Sequence, residues 1–164
     1  MSFRIALLAG SVLVAACSSP KTPLADTRDS PAAVAQAVID AVSAGNGAAL
    51  ASLALSEQEF REHIWPELPA ARPERNLPFS YVWGDLHQKS DTNLAATLTK
   101  YRGQRLTLVE VRHGEVTRYK SYTVHRDSVF VVRTADGASV DVRLCGSMVE
   151  QAGRWKVFSY VVND

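Results

Sequence analysis

The densest run of polar and aromatic side chains in the chain is Tyr81-Val82-Trp83-Gly84-Asp85-Leu86-His87-Gln88. On a helix, Trp83 and His87 stand four residues apart and share a face. Asp85 and His87 are the residue types for proton transfer, one as a base and the other as acid or base near neutral pH. The non-catalytic reading of the same run is that Trp83 packs on a sheet and His87 bonds a loop carbonyl. Later in the chain, Tyr119, Tyr122 and Phe130 alternate with Arg118, Lys120 and Arg126. That set suits either the mouth of a pocket for an acidic or aromatic ligand or a solvated sheet face. The candidate pocket residues are therefore Tyr81, Trp83, Asp85, His87, Tyr119 and Tyr122, and none has an assigned catalytic role.

Other chemistry is poorly represented. His63, His87, His113 and His125 are the only histidines, and no two have a ligand spacing such as HExxH. With no CxxC either, neither a metal nor a cofactor is expected. The nucleophile elbow GxSxG and the phosphate loop GxxxxGK[ST] do not occur. Two cysteines, Cys17 and Cys145, cannot build a disulfide framework. The formal charge of +1 lacks the basic surplus that phosphate neutralisation requires, so nucleic acid is not an expected partner.

Cys17 stands in a different kind of context. Met1-Ser2-Phe3-Arg4 gives a positive start, and Ile5 to Ala16 is twelve residues without a charge. A spanning helix needs about 18 or more apolar residues, whereas a secretory signal core runs about 7–15. Val14-Ala15-Ala16-Cys17 resembles the bacterial lipobox: an aliphatic position, two small residues and a cysteine. The resemblance implies that residues 1–16 are cleaved as a lipoprotein signal peptide and that the Cys17 sulfur carries a diacylglycerol thioether. It also implies palmitate chains, a membrane held through the N-terminal lipid, and Ser18 as the outer-membrane default of Gram-negative envelopes. The expected location is the cell envelope, on the periplasmic side of the outer membrane if the host is Gram-negative. Two or more acyl chains suffice for stable anchoring.

Residues 17–29 then read as the lipidated cysteine and a flexible tether, rich in Ser, Thr and Pro with no apolar period. Stretched out, about a dozen residues reach roughly 40 Å. Residues 30–164 form one domain by size, with a globular share of apolar residues, 46% overall. Basic and acidic residues are segregated along it. Residues 30–101 carry five basic against eight acidic side chains, and residues 102–164 carry ten against seven. Opposed halves suit an envelope protein partner or a homodimer.

The domain reads as helices first and strands second. Ser30-Pro31 is a helix start, Val34, Val38, Ala41 and Val42 recur at helical spacing, and Gly45 is a stop. A second helix is predicted over Ala48 to Ala54, and Ser56-Glu57-Gln58-Glu59 has the pattern of a capping box. Four prolines make Trp65 to Pro78 a loop. A long helix follows over Phe79 to Tyr101, with Gly84 and Ser90-Asp91 as weak points.

Beyond Gly103 the spacing predicts five antiparallel strands: 105–112, 116–125, 128–134, 139–150 and 154–162. The turns between them are expected at His113-Gly114, Arg126-Asp127, Asp136-Gly137 and Gln151-Ala152-Gly153. Glu150 opposite Arg154 would set Met148 against Lys156, a break in the apolar face that needs a bulge or cover on both faces. Gly146 is a candidate bend. The expected class is α+β, with N-terminal helices packed on a curved antiparallel sheet of about five strands.

Ala41 to Leu50, a helix-glycine-helix opening, and Gly153-Arg154-Trp155-Lys156-Val157, a turn and closing strand, resemble the corresponding parts of NTF2-like (SnoaL-like) domains. A cystatin-like arrangement with one dominant helix is the alternative. The resemblance implies a bent sheet wrapped on a long helix, leaving a conical pocket. Enzymes of that family line the cone with an Asp base and Tyr donors. No position here matches that catalytic pattern, so none is carried over. The expectation is a non-catalytic binding domain for a small apolar ligand or a protein partner. The alternative is a small-molecule isomerase or dehydratase acting through Asp85 or His87 in the conical pocket.

Overall fold

The structure, a computed structural model, describes residues 22–162. Cys17, the cleavage point and the whole segment 17–21 lie outside the described residues. No helix among the described residues is long and apolar enough to cross a membrane.

The order is α+β. Helix α1 (Pro31–Ala44) starts where the Ser30 side chain accepts the Ala33 N–H and ends on Gly45, at φ +68°. Helix α2 (Gly47–Leu53) begins under the Asn46 side chain. Ser56 and Glu59 form the reciprocal capping box, opening a short helix α3 (Glu57–Glu59) that widens into a π turn over Phe60–Ile64. The prolines break the next stretch into three single 3₁₀ turns, Trp65–Glu67, Pro69–Ala71 and Pro73–Arg75. Helix α4 (Phe79–Tyr101) then runs unbroken, through Gly84 and through Ser90-Asp91.

Among the described residues seven strands follow where five were expected. They are β1 (Thr107–Arg112), β2 (Val116–Arg118), β3 (Thr123–His125), β4 (Val129–Arg133), β5 (Ser139–Val142), β6 (Ser147–Gln151) and β7 (Arg154–Ser159). They pair antiparallel in two sheets, β1-β4-β5 and β2-β3-β6-β7. Two predicted strands are each split. In 116–125 the chain reverses at Tyr119–Tyr122, where Tyr119 N–H donates to Tyr122 O (2.9 Å). In 139–150 it bends across residues 143–146.

The expected turns at His113-Gly114 and Arg126-Asp127 are instead a bend shared by two neighbouring strands. Arg112 pairs with Val129 on one side of it and Val116 with His125 on the other, in one continuous register. Gly114 N–H donates to Arg126 O (3.0 Å) and Arg126 N–H to Glu115 O (2.8 Å) across the gap. The bend carries on into the next pair, where Ser128 N–H donates to Gly146 O (3.0 Å) and Gly146 N–H to Ser159 O (3.1 Å). Asp127 adopts φ +50° there, which is why Arg126-Asp127 has turn chemistry without making a turn. A Cβ on Gly146 would lie 1.6 Å from Val161 O, so only glycine lets the two backbones meet at this point.

The last hairpin corrects the expected register. Its loop is two residues, Ala152 and Gly153, both at positive φ as in a type I′ turn. Gln151 therefore faces Arg154, Met148 faces Val157, and Lys156 faces Val149. No bulge is needed to keep Met148 and Val157 on one face; the one shift in this pair lies beyond them, between Ser147 and Met148. Both faces are covered. One, with Met148 and Val157, packs on α1 and α2 together with Phe130, Leu144 and Tyr160. The other, with Val124 and Val149, packs on Phe60, Ile64 and the first half of α4.

Residues 22–28, within the segment expected to be a free tether, lie along the free edge of β7. Arg28 and Trp155 exchange both backbone hydrogen bonds, at 2.8 and 2.7 Å.

Candidate functional site

Helix α4 crosses the second sheet with a trough beneath it. Toward the helix middle, a pocket of about 70 Å³ is lined by Trp83, Leu86, His87, Asp91 and Leu94, with Phe158 and Tyr160 as part of its floor. A wider hollow of about 400 Å³ shares Leu86, Phe158 and Ser159 with it and opens toward Tyr119, Arg126 and Asp127. The trough is thus mainly apolar under the helix, with the half-exposed His87–Asp91 pair at its edge, and charged at its outer end.

The aromatic floor is built from distant segments. Phe60 touches Trp83 (5.3 Å between ring centroids) and Phe158 (6.0 Å), and Trp83 touches His87 (5.3 Å). Tyr119 stacks on Tyr122 at 4.5 Å. Tyr122 is buried, and its hydroxyl donates to Ile64 O (3.1 Å). Burial and the neighbouring Tyr119 push that phenol well above its ordinary value, so it stays neutral. Of the six candidate residues, Trp83, His87 and Tyr119 line the trough and Tyr122 supports it from below.

The other two face elsewhere. Tyr81 is 66% exposed. Asp85 is exposed, ion-paired to Lys89 at 2.7 Å, and lines neither hollow. Among the described residues His87 bonds no loop carbonyl; its Nδ1 meets Asp91 at 3.0 Å, one turn on along the same helix. Asp85 and His87 therefore do not converge on one reacting atom.

The buried Glu59–Lys156 pair lies away from the trough, and the Tyr160 phenol in the trough floor is held by a backbone carbonyl. Lys156 and Glu59 form an ion pair at 3.1 Å. Glu59 also accepts from Ser56 N (2.8 Å) and Ala25 N (2.7 Å). Burial pushes its carboxyl up, but these hydrogen bonds and Lys156 outweigh burial and hold it below the ordinary glutamate value. Tyr160 donates to Leu50 O (2.7 Å). Cys145 is fully buried at the bend, beside Ser128, and desolvation pushes its thiol up to about 12. A thiol at that value is not a nucleophile at neutral pH.

One cluster had no counterpart in the expectations. His113 and His125 lie 5.1 Å apart at the bend, and His125 also packs on Trp155 at 4.5 Å. The Nδ1 of His113 meets the Ser128 hydroxyl (3.2 Å), while its Nε2 is buried with no partner among the described residues. Desolvation, and for His113 the facing His125, lower both imidazoles below their ordinary value. The two histidines are twelve residues apart in sequence, and only the bend register brings them together. No group of three or more metal-ligating side chains occurs among the described residues.

Comparison of the chain with family models, with curated proteins and with solved structures returns no match.

Proposed function

We propose that this chain is an envelope lipoprotein, anchored through Cys17, whose domain binds a small, largely apolar ligand in the trough beneath α4 without transforming it. The fine architecture in this reading is the NTF2-like cone, with α4 over the concave side of the bent sheet. The observation that carries the binding reading is the lining. Leu86, Phe158 and Trp83 supply apolar contact, while charged groups are confined to the rim. Ligand sites are commonly concave and apolar with a few polar groups that fix orientation. The non-catalytic reading rests on Asp85 lying outside both hollows and on His87 being paired with Asp91, since a general base must stand within hydrogen-bond reach of the substrate. The anchoring rests on Val14-Ala15-Ala16-Cys17 and the short apolar core before it.

The test is native mass spectrometry of the protein extracted from its own envelope in mild detergent. A ligand mass that is lost on denaturation, and is missing from a Leu86→Trp variant that fills the trough, supports the reading. Equal ligand content in wild type and variant places the ligand elsewhere. Turnover of that ligand, abolished by His87→Ala, would instead establish an enzyme.

A further inference from the structure

We infer that the N-terminal segment is a docked strap that fixes which face of the domain meets the membrane. This rests on the proposed anchor at Cys17 and goes beyond it, because an anchor alone leaves orientation open. The composition of residues 17–29 predicts free reach, but the strap is bonded along most of its described length. His63 Nε2–H donates to Thr22 O (2.6 Å), and Ala25 N–H donates to Glu59 (2.7 Å). Lys156 donates to Ala25 O (2.8 Å), and Arg154 donates to Thr27 O (3.0 Å). Arg28 closes the series as an added strand on Trp155. Leu24 is seated among the apolar side chains around Phe60.

These attachments come from α3, the π turn and β7, so the strap cannot lift at one point without exposing the buried Glu59–Lys156 pair. Only four residues, Ser18 to Lys21, separate Cys17 from Thr22. Fully extended, that stretch spans about 18 Å, less than half the reach of an undocked tether. The folded part is about 35 Å across. The domain therefore stands nearly on the bilayer, on the face that holds Thr22, Gln58 and Glu62. The hairpin tip at Ala135 and Asp136 belongs to a different surface, a hollow lined with Gly103, Arg105 and Val140 that shares no residue with that face.

The orientation can be read on vesicles without relying on cellular lipidation. The chain from Cys17 onward is coupled through that thiol to a maleimide phospholipid in phosphatidylethanolamine–phosphatidylglycerol vesicles; Cys145 is buried and does not compete. Gln58 or Ala135, both exposed, is replaced by an azide-bearing residue carrying a fluorophore, and quenching by headgroup-attached acceptors is measured. Strong quenching at position 58 with little at position 135 is expected. Ala25→Pro combined with Arg28→Pro removes two strap donors and should even out the two signals. Equal quenching at both positions of the otherwise native chain overturns the inference. Intact mass of the protein from its own membranes decides the anchor separately. An unmodified Cys17 there would remove the anchor reading, whatever the vesicles report about the strap.

Discussion

The ammonium of Lys156 lies 3.1 Å from the carboxylate of Glu59, ninety-seven residues away in sequence, with both side chains almost fully enclosed. The pair sits where β7, α3 and the N-terminal strap meet, and each partner also bonds the backbone of Ala25. It explains how a lysine can occupy the middle of a strand whose neighbours Val157 and Val149 are completely buried. Such a pair specifies an arrangement more than it stabilises one, because desolvation offsets most of the Coulombic gain.

Breaking the pair from one side should be costly. Lys156→Met leaves the Glu59 carboxylate buried without its cation, and should lower unfolding free energy by about 3–5 kcal/mol. Glu59→Leu additionally orphans the Ser56 and Ala25 N–H groups and should cost at least as much. The double variant should lose less than the two single losses combined. Urea unfolding midpoints of the four proteins measure this coupling.

The same carboxylate sets an acid limit. Its folded value lies below the ordinary 4.5, so the stability it contributes is complete above that value and is lost as pH falls through the depressed folded one. Unfolding midpoints from pH 5 down to pH 2 should fall more steeply in wild type than in Glu59→Gln.

The histidines at the bend act in a higher window. Both are depressed below 6.5, so the unfolded chain binds protons that the folded one refuses. Stability should be unaffected above about pH 6.5 and decline as pH falls from there toward the folded values, where the unfolded state holds more protons. Glu150 partly offsets this at His125, and Arg118 adds to it. His113→Phe removes one titrating group and the unpartnered Nε2. It should flatten the decline and leave stability at pH 7.5 within about 1 kcal/mol of wild type. Thermal melts at pH 7.5, 6.5 and 5.5 check both statements.

Gly146→Ala should be the most damaging one-carbon change in the sheet. The added carbon meets the Val161 carbonyl at 1.6 Å, and the neighbour is backbone that cannot rotate away. A loss of at least about 2 kcal/mol is expected, by the cost of overpacking. Asp85→Ala, by contrast, removes only an exposed pair one helical turn apart and should cost under about 0.5 kcal/mol.

What the sequence made legible was local. Ser30, Pro31 and Gly45 bound α1 because capping is settled within one turn of chain, and Ser56 with Glu59 announces α3 for the same reason. The bend at Gly146 was legible as a glycine interrupting an alternating strand. The reversal at Tyr119–Tyr122 was not, since Lys120 and Ser121 carry no strong turn signal. That turn is held from outside, by Glu67 accepting from the Ser121 N–H (3.1 Å) and hydroxyl (2.6 Å). Asp127 misled in the opposite direction, its left-handed backbone serving a bend between paired strands. In the trough, Trp83 and His87 were predicted by helical spacing. Phe60 and Phe158 were not, because their meeting depends on which sheet face the π turn covers.

Intact native mass spectrometry of the protein from its host's membranes tests the proposed anchor and the proposed ligand in the trough at once. A polypeptide starting at Cys17, heavier by a covalent diacylglyceryl group, is expected, with a further mass that leaves on denaturation and is missing from Leu86→Trp. A spectrum of the unmodified 164-residue chain with nothing bound would contradict both.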